Sequence, residues 1–160
     1  MWSVIPSIKI GAAFAFLWVL LWIYSTYSCA SITGGEMSPA IAKNETRILY
    51  QKERSPVSLQ HGEIVYYALS HPRTDQSTFV ARIVGLPGDR VKIADGKLFV
   101  NGDKVSDREV PVPMMLNDTM EEVIVPADSL FVLGDNRRSA IDSLVVGPIG
   151  RWAILGKINE

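Results

Sequence analysis

From Ile10 to Gly35 the chain carries no charged residue, and Ile10-Gly11-Ala12-Ala13-Phe14-Ala15-Phe16-Leu17-Trp18-Val19-Leu20-Leu21-Trp22-Ile23-Tyr24 is almost wholly apolar. A helix that is apolar all round has no face to give to water, so such a segment belongs in a core or in lipid. A helix crossing a bilayer needs about 20 residues, and residues 5–24 supply that length if Lys9 reaches toward the headgroups along its own alkyl stem. Trp2, Trp22, Tyr24 and Tyr27 then fall where interfacial aromatics gather. The expectation is one membrane-spanning helix, lipid contact over residues 5–27, an anchor at 1–30 and a β domain at 31–160.

The amine of Met1 and Lys9 precede the segment, and the first Lys or Arg after it is Lys43. That asymmetry predicts a cytoplasmic N-terminus and a β domain on the periplasmic or extracytoplasmic side. Ser28-Cys29-Ala30 also resembles a cleavage site for a secretory signal, but a retained anchor is the expectation. Cys29 is the only cysteine, so no intrachain disulfide can form. Asn44-Glu45-Thr46 and Asn117-Asp118-Thr119 are sequons that matter only in a glycosylating compartment. Net charge is -1 and no basic run is longer than Arg137-Arg138, so no nucleic acid partner is expected.

After the apolar segment about 125 residues remain, enough for one core. They read as β. Glu63 to Leu69 and Phe79 to Val84 are short runs rich in β-branched and aromatic residues. Asp95-Gly96 and Asn101-Gly102 separate Val91-Lys92-Ile93, Leu98-Phe99-Val100 and Lys104-Val105, and these dipeptides supply the positive φ of tight hairpins, so a meander is predicted. Further strands are expected at Glu122 to Val125, Ser129 to Leu133 and Trp152 to Ile158. Lys43 to Pro56 reads as a solvated connection or an irregular strand. Pro111 to Met120 reads as a loop whose Met114, Met115, Leu116 and Met120 either cap the core or form an apolar contact surface.

Four short patterns stand in order along this β region. They are Gly34-Gly35-Glu36-Met37-Ser38-Pro39; Gly62-Glu63-Ile64-Val65; Val80-Ala81-Arg82-Ile83-Val84-Gly85-Leu86-Pro87-Gly88-Asp89; and Gly134-Asp135-Asn136-Arg137, followed by Asp142-Ser143 and Gly147. Together they resemble the type I signal peptidases, membrane-anchored serine proteases that pair a Ser nucleophile with a Lys base. In that family the first pattern reads Ser-Gly-Ser-Met-x-Pro-Thr, so alignment on Met37 and Pro39 sets Glu36 in the nucleophile's place. The third reads Lys-Arg-x-x-Gly-Leu-Pro-Gly-Asp, which sets Ala81 in the base's place. The fourth reads Gly-Asp-Asn-Arg-x-x-Ser-x-Asp-Ser-Arg; its later Ser falls on Ala140 and its last Arg on Leu144, so Asp142 is expected to lack its arginine partner. Gly34 stands where the family has a Ser whose hydroxyl lies near the base and the oxyanion.

The resemblance implies a mainly β fold, a signal peptidase-like antiparallel β domain preceded by one N-terminal transmembrane helix. It also implies a groove near the membrane that accepts an extended peptide by pairing with a strand edge. The motif residues that carry over as peptide-binding candidates are Met37, Ser38, Pro39, Arg82, Gly134, Asp135, Asn136, Asp142 and Ser143. Chemistry then argues against the family's reaction, because Ala81 accepts no proton and Glu36 has no hydroxyl to acylate. Ser38 is the nearby hydroxyl, but in an extended segment it points away from the face that Glu36 uses. His61 and His71, the only histidines, read as surface or loop residues rather than bases. Glu36 either takes a new partner such as Arg82 or lies in solvent.

The leading expectation is a catalytically inactive signal peptidase-like membrane protein, an accessory, assembly or peptide-binding subunit of a membrane complex. The alternative is a signal peptidase-type endopeptidase that processes exported precursors with non-standard residues, either Ser38 or a water activated by Glu36. A third is a chaperone-like module that holds a peptide. No cofactor or metal is expected.

Overall fold

The computed structural model describes residues 7–43, 45–50, 59–70, 72, 77–106 and 118–158. Helix α1, Ser7–Thr26, is 20 residues long. Phe14, Phe16, Leu17, Trp18, Val19, Leu20, Leu21, Trp22 and Ile23 are all exposed, and because most are consecutive they surround the helix. Its ends are polar, with Ser7 and Lys9 at one and Ser25 and Thr26 at the other; both of the latter hydroxyls donate to the Trp22 carbonyl. Among the described residues no helix is long and apolar enough to cross a membrane; the expected span, 5–24, begins outside them.

The helix passes directly into a mainly β unit. Strands β1 (Tyr27–Ile32), β2 (Glu45–Tyr50), β3 (Ile64–Ala68), β4 (Thr78–Gly85), β9 (Ser129–Leu133), β10 (Ile149–Gly150) and β11 (Ile154–Ile158) form a seven-stranded sheet. Its order is β1-β2-β11-β3-β4-β9-β10. A second sheet, in the order β7-β6-β5-β8, contains β5 (Arg90–Ala94), β6 (Lys97–Val100), β7 (Asp103–Lys104) and β8 (Met120–Ile124). Every pairing is antiparallel. A short helix α2, Ser143–Val146, and a 3₁₀ turn at Arg151–Ala153 complete the described elements.

The meander expected from the turn dipeptides is present as β5, β6 and β7, with positive φ at Asp95, Gly96, Asn101 and Gly102. That pair of left-handed residues is what a two-residue hairpin needs to match strand twist. Three details of the strand layout follow from the pairing. Residues 45–50 form the regular strand β2 between β1 and β11, because two neighbours pair its backbone whatever its polarity. Strand β1 runs across residue 30, so sheet structure begins at Tyr27. Trp152 lies in the 3₁₀ turn, and the strand there starts at Ile154. Met114, Met115, Leu116, Asn44, Asn117 and His71 lie outside the described residues.

Strand β4 is the centre of the molecule, buried from Phe79 to Gly85. Side chains alternate across a strand, so Phe79, Ala81 and Ile83 enter one apolar cluster with Val65, Tyr67, Leu130 and Val132. Val80 points the other way, with Ile32, Met37, Ile64 and Ile158. Val84 joins Val91, Ile93, Leu98, Phe131 and Leu133, the cluster that fastens the small sheet to the large one. At that junction a Cβ on Gly85 would lie 2.6 Å from Val91 and 3.0 Å from Phe131. The turn after β4 therefore requires glycine for closeness of packing.

Candidate functional site

Strand register brings the separate motifs together. Arg82 pairs with Leu133 and Ile83 with Val132 across β4 and β9, so continuing that register by one residue sets Ala81 opposite Gly134. Gly134 in turn supports the Gly34–Pro39 segment: a Cβ there would lie 2.5 Å from Ala140 Cβ, 2.9 Å from the Glu36 carbonyl oxygen and 3.6 Å from Glu36 Cβ. Glu36 and Ala81 thus flank the same glycine. Asn136 holds the segment in place, its backbone N–H donating to the Glu36 carbonyl at 2.7 Å and its Nδ2 to the Gly35 carbonyl at 3.0 Å. Ser139 Oγ donates to the same Gly35 oxygen at 3.4 Å.

The segment is turned rather than extended, with Ser38 N–H donating to Gly35 and Ile41 N–H to Met37. Glu36 and Met37 are therefore both buried, while Ser38 and Pro39 are exposed. The expectation that Ser38 faces away from the site holds for a different reason, since a turn rather than strand alternation separates it from Glu36. Glu36 is only 6% exposed, which overturns the picture of a solvated carboxylate.

Two buried ion pairs fix the walls. Arg82 Nε and Nη2 donate to Asp135 at 3.0 and 2.8 Å, and Nη1 donates to the Gly62 carbonyl at 2.7 Å. Both side chains are 4% exposed, so this bidentate pair ties the third motif to the fourth. Asp142 accepts from Gly134 N–H at 2.9 Å, from Leu144 N–H at 3.1 Å, and from Arg137 Nη1. The expectation that Asp142 lacks an arginine is corrected: Arg137, five residues earlier, reaches the carboxylate because the chain turns back after Asn136, whose carbonyl accepts from Ser139 and Ala140 N–H. Ser143 Oγ accepts from Val132 N–H at 2.9 Å. Arg82, Asp135, Asp142 and Ser143 were carried over as peptide-binding candidates; their buried atoms instead bond to other parts of this chain.

Tyr67 was not singled out in the sequence. It lies on the face shared by Ala81, and its hydroxyl donates to the Ile141 carbonyl at 2.9 Å. Burial, followed by the negative charges of Asp142 and Glu36, pushes its pKa far above the ordinary tyrosine range. The signal that could have found it is its place three residues after Ile64 in an otherwise apolar strand, where a hydroxyl needs a partner.

His61 is partly exposed and hydrogen-bonds through Nε2 to Asp89 Oδ2 at 2.7 Å. Asp89 also accepts from Leu86 N–H at 2.7 Å and Asn101 Nδ2 at 2.8 Å. Burial acts to raise the Asp89 pKa, but the bonds from Asn101, Leu86 and His61 outweigh it and hold the carboxyl below its ordinary value. This cluster closes the turn at the far end of β4 and leaves His61 a loop residue, as expected. Among the described residues no group of three or more His, Cys, Asp or Glu is arranged to hold a metal.

Cross-strand rows fix where the site lies relative to α1. Tyr27 pairs with Tyr50, Tyr50 with Lys157, Lys157 with Val65 and Val65 with Ala81. Ala81 and Gly134 therefore share a row with the first residue after α1, so the site sits at the end of the sheet where the helix joins. Chemically, the described side chains here offer a buried carboxylate, a buried phenol and backbone amides, with neither hydroxyl at residue 36 nor amine at residue 81.

Residues 5–160 match the family described as Signal peptidase, peptidase S26. A protein of Synechocystis sp. named Probable signal peptidase I-2 is 30% identical over 129 residues, covering 79% of this chain and 58% of that protein. Signal peptidase I of Bacillus caldolyticus is 30% identical over 151 residues, covering 87% of this chain and 79% of that one. The crystal structure of a signal peptidase I from Enterococcus faecalis aligns with a TM-score of 0.50 and 26% identity, over 66% of this chain and 100% of that one. The chain spans 58 to 64% of the length of the cyanobacterial and several of the Bacillus relatives it matches. It belongs to the signal peptidase S26 family.

Proposed function

We propose that this member of the signal peptidase S26 family engages extended segments of exported precursor proteins at a membrane surface and does not cleave them by the Ser–Lys route. The observation that carries this is that Glu36 packs on Gly134 and the β4–β9 register, extended by one residue, sets Ala81 opposite the same glycine; these are the two positions that the family resemblance assigns to nucleophile and base. Arg82–Asp135 and Arg137–Asp142 still brace the strands around them, so a peptide-receiving groove can outlast the reaction that the family performs in it. Contact with lipid through α1 is part of the proposal, supported by apolar side chains on every side of that helix and by the cross-strand row that Ala81 shares with Tyr27, the first residue after it. An extracytoplasmic β domain and a membrane-complex partner are proposed with it.

A second reading, endopeptidase activity on exported precursors with non-standard residues, is favoured by the relatives, which bear the name signal peptidase I. It requires either a water activated by Glu36 or attack by Ser38. The exposure of Ser38 beyond the buried Met37 weighs against the latter.

The test is a cleavage assay of the detergent-solubilised full chain on a signal-peptide-bearing precursor, beside Glu36→Ser/Ala81→Lys. No turnover by the natural chain supports the first reading, most strongly if the double substitution cleaves. Residue 81 is fully buried, so a lysine there would be pushed toward its neutral, basic form. Turnover by the natural chain that Glu36→Ala or Ser38→Ala abolishes establishes the second reading.

A further inference from the structure

A Cβ placed on Gly34 would lie 2.0 Å from both carboxylate oxygens of Glu36 and 2.2 Å from its Cδ. The Glu36 side chain therefore doubles back and fills the volume that any larger residue at 34 would occupy. In the family pattern that volume belongs to a Ser hydroxyl close to the oxyanion, so Gly34 and Glu36 are one coupled change: the first vacates the space and the second fills it with negative charge. The backbone of Glu36 is anchored independently, through Asn136 N–H and the close approach to Gly134. Its side chain can thus swing away without unmaking the turn.

We propose that Glu36 is a built-in occupant of the peptide site, its carboxylate standing where a bound peptide's carbonyl group would be received, and that its displacement gates peptide access. This rests on the peptide-engaging reading above. A ligand must compete with the side chain, so apparent affinity falls by the fraction of molecules in which the carboxylate is folded in. If roughly one molecule in ten is open, removing the side chain tightens binding about tenfold.

The experiment measures fluorescence anisotropy of a fluorescein-labelled peptide, an apolar run followed by Ala-Gln-Ala, on the detergent-solubilised full chain. Glu36→Ala is expected to lower Kd about tenfold, whereas Glu36→Gln, which keeps the shape, should leave it near the parent value. Gly34→Ala, which forces the carboxylate out, should tighten binding in the parent and add nothing to Glu36→Ala. A thermal-melting cycle on the same variants reads the contact without peptide: Gly34→Ala should lower Tm in the parent and not in the Glu36→Ala background. Equal tightening by Glu36→Ala and Glu36→Gln overturns the proposal in favour of simple charge repulsion. Binding identical in all variants overturns it and leaves the peptide-engaging reading intact. Absence of binding in every variant, with the melting cycle still coupled, sinks that reading and the gate with it.

Discussion

The middle of strand β4 and the turn that ends it differ in what they ask of their residues. At Gly85–Asp89 packing dictates identity: Gly85 leaves no room for a methyl against Val91, Gly88 has a φ of 88°, and Asp89 bonds three partners. At Ala81, six residues before Pro87, the requirement is only that something apolar and small fill a buried place beside Gly134. Where a motif residue serves the turn it matches the family pattern, and where it would serve only chemistry it departs. A folded scaffold and a reactive pair are separable because they answer to different physical demands.

The largest effect that could break this comparison concerns Arg82, the neighbour of Ala81. Arg82→Ala leaves Asp135 buried without its bidentate partner and should cost about 3–5 kcal/mol in urea unfolding. A loss under 1 kcal/mol would show that the wall of the site is tolerant too. Next, Gly85→Ala should cost about 1–3 kcal/mol through overpacking, while Ala81→Gly, which only trims a methyl, should cost roughly 1 kcal/mol; a reversed order would undo the contrast.

Tyr67→Phe removes the bond to Ile141 and should cost about 1 kcal/mol at neutral pH. Its raised pKa means that the folded state resists ionisation, so the stability it contributes is full below the ordinary tyrosine value of about 10 and is lost as pH rises beyond it. The Tyr67→Phe variant should therefore lose stability less steeply than the parent in alkaline denaturation. The smallest effect belongs to Asp89. Its lowered pKa makes a contribution that is present above the ordinary carboxylate value of about 3.9 and lost as pH falls through the folded value. Asp89→Asn should flatten the acid limb of the stability profile, and an unchanged limb would deny the His61–Asp89–Asn101 cluster its role.

The β5–β7 meander could be read from sequence because Asp95-Gly96 and Asn101-Gly102 act within two residues, and β3, β4 and β9 because their apolar runs are short and bounded. Strand β2 is legible only as one of two alternatives, because Glu45, Thr46 and Arg47 suit a connection as well as a strand and pairing with β1 and β11 decides between them. At the site, the motifs pointed to Glu36 and Ala81, but Tyr67 and the Arg137–Asp142 pair depended on contacts between residues distant in sequence or folded back by a turn.

By itself the sequence determined the chemistry on offer: a helix apolar and charge-free from Ile10 onward, β strands punctuated by turn dipeptides, and motif positions occupied by Glu36 and Ala81. These are properties of residue type and local backbone preference, which act over a few bonds. Only the tertiary structure decided that Glu36 doubles back onto Gly34, that Asp135 and not a ligand engages the Arg82 guanidinium, and that the site shares a row with the end of α1. Those outcomes depend on register across β4 and β9 and on which groups exclude water from one another, and neither is fixed until the strands have paired.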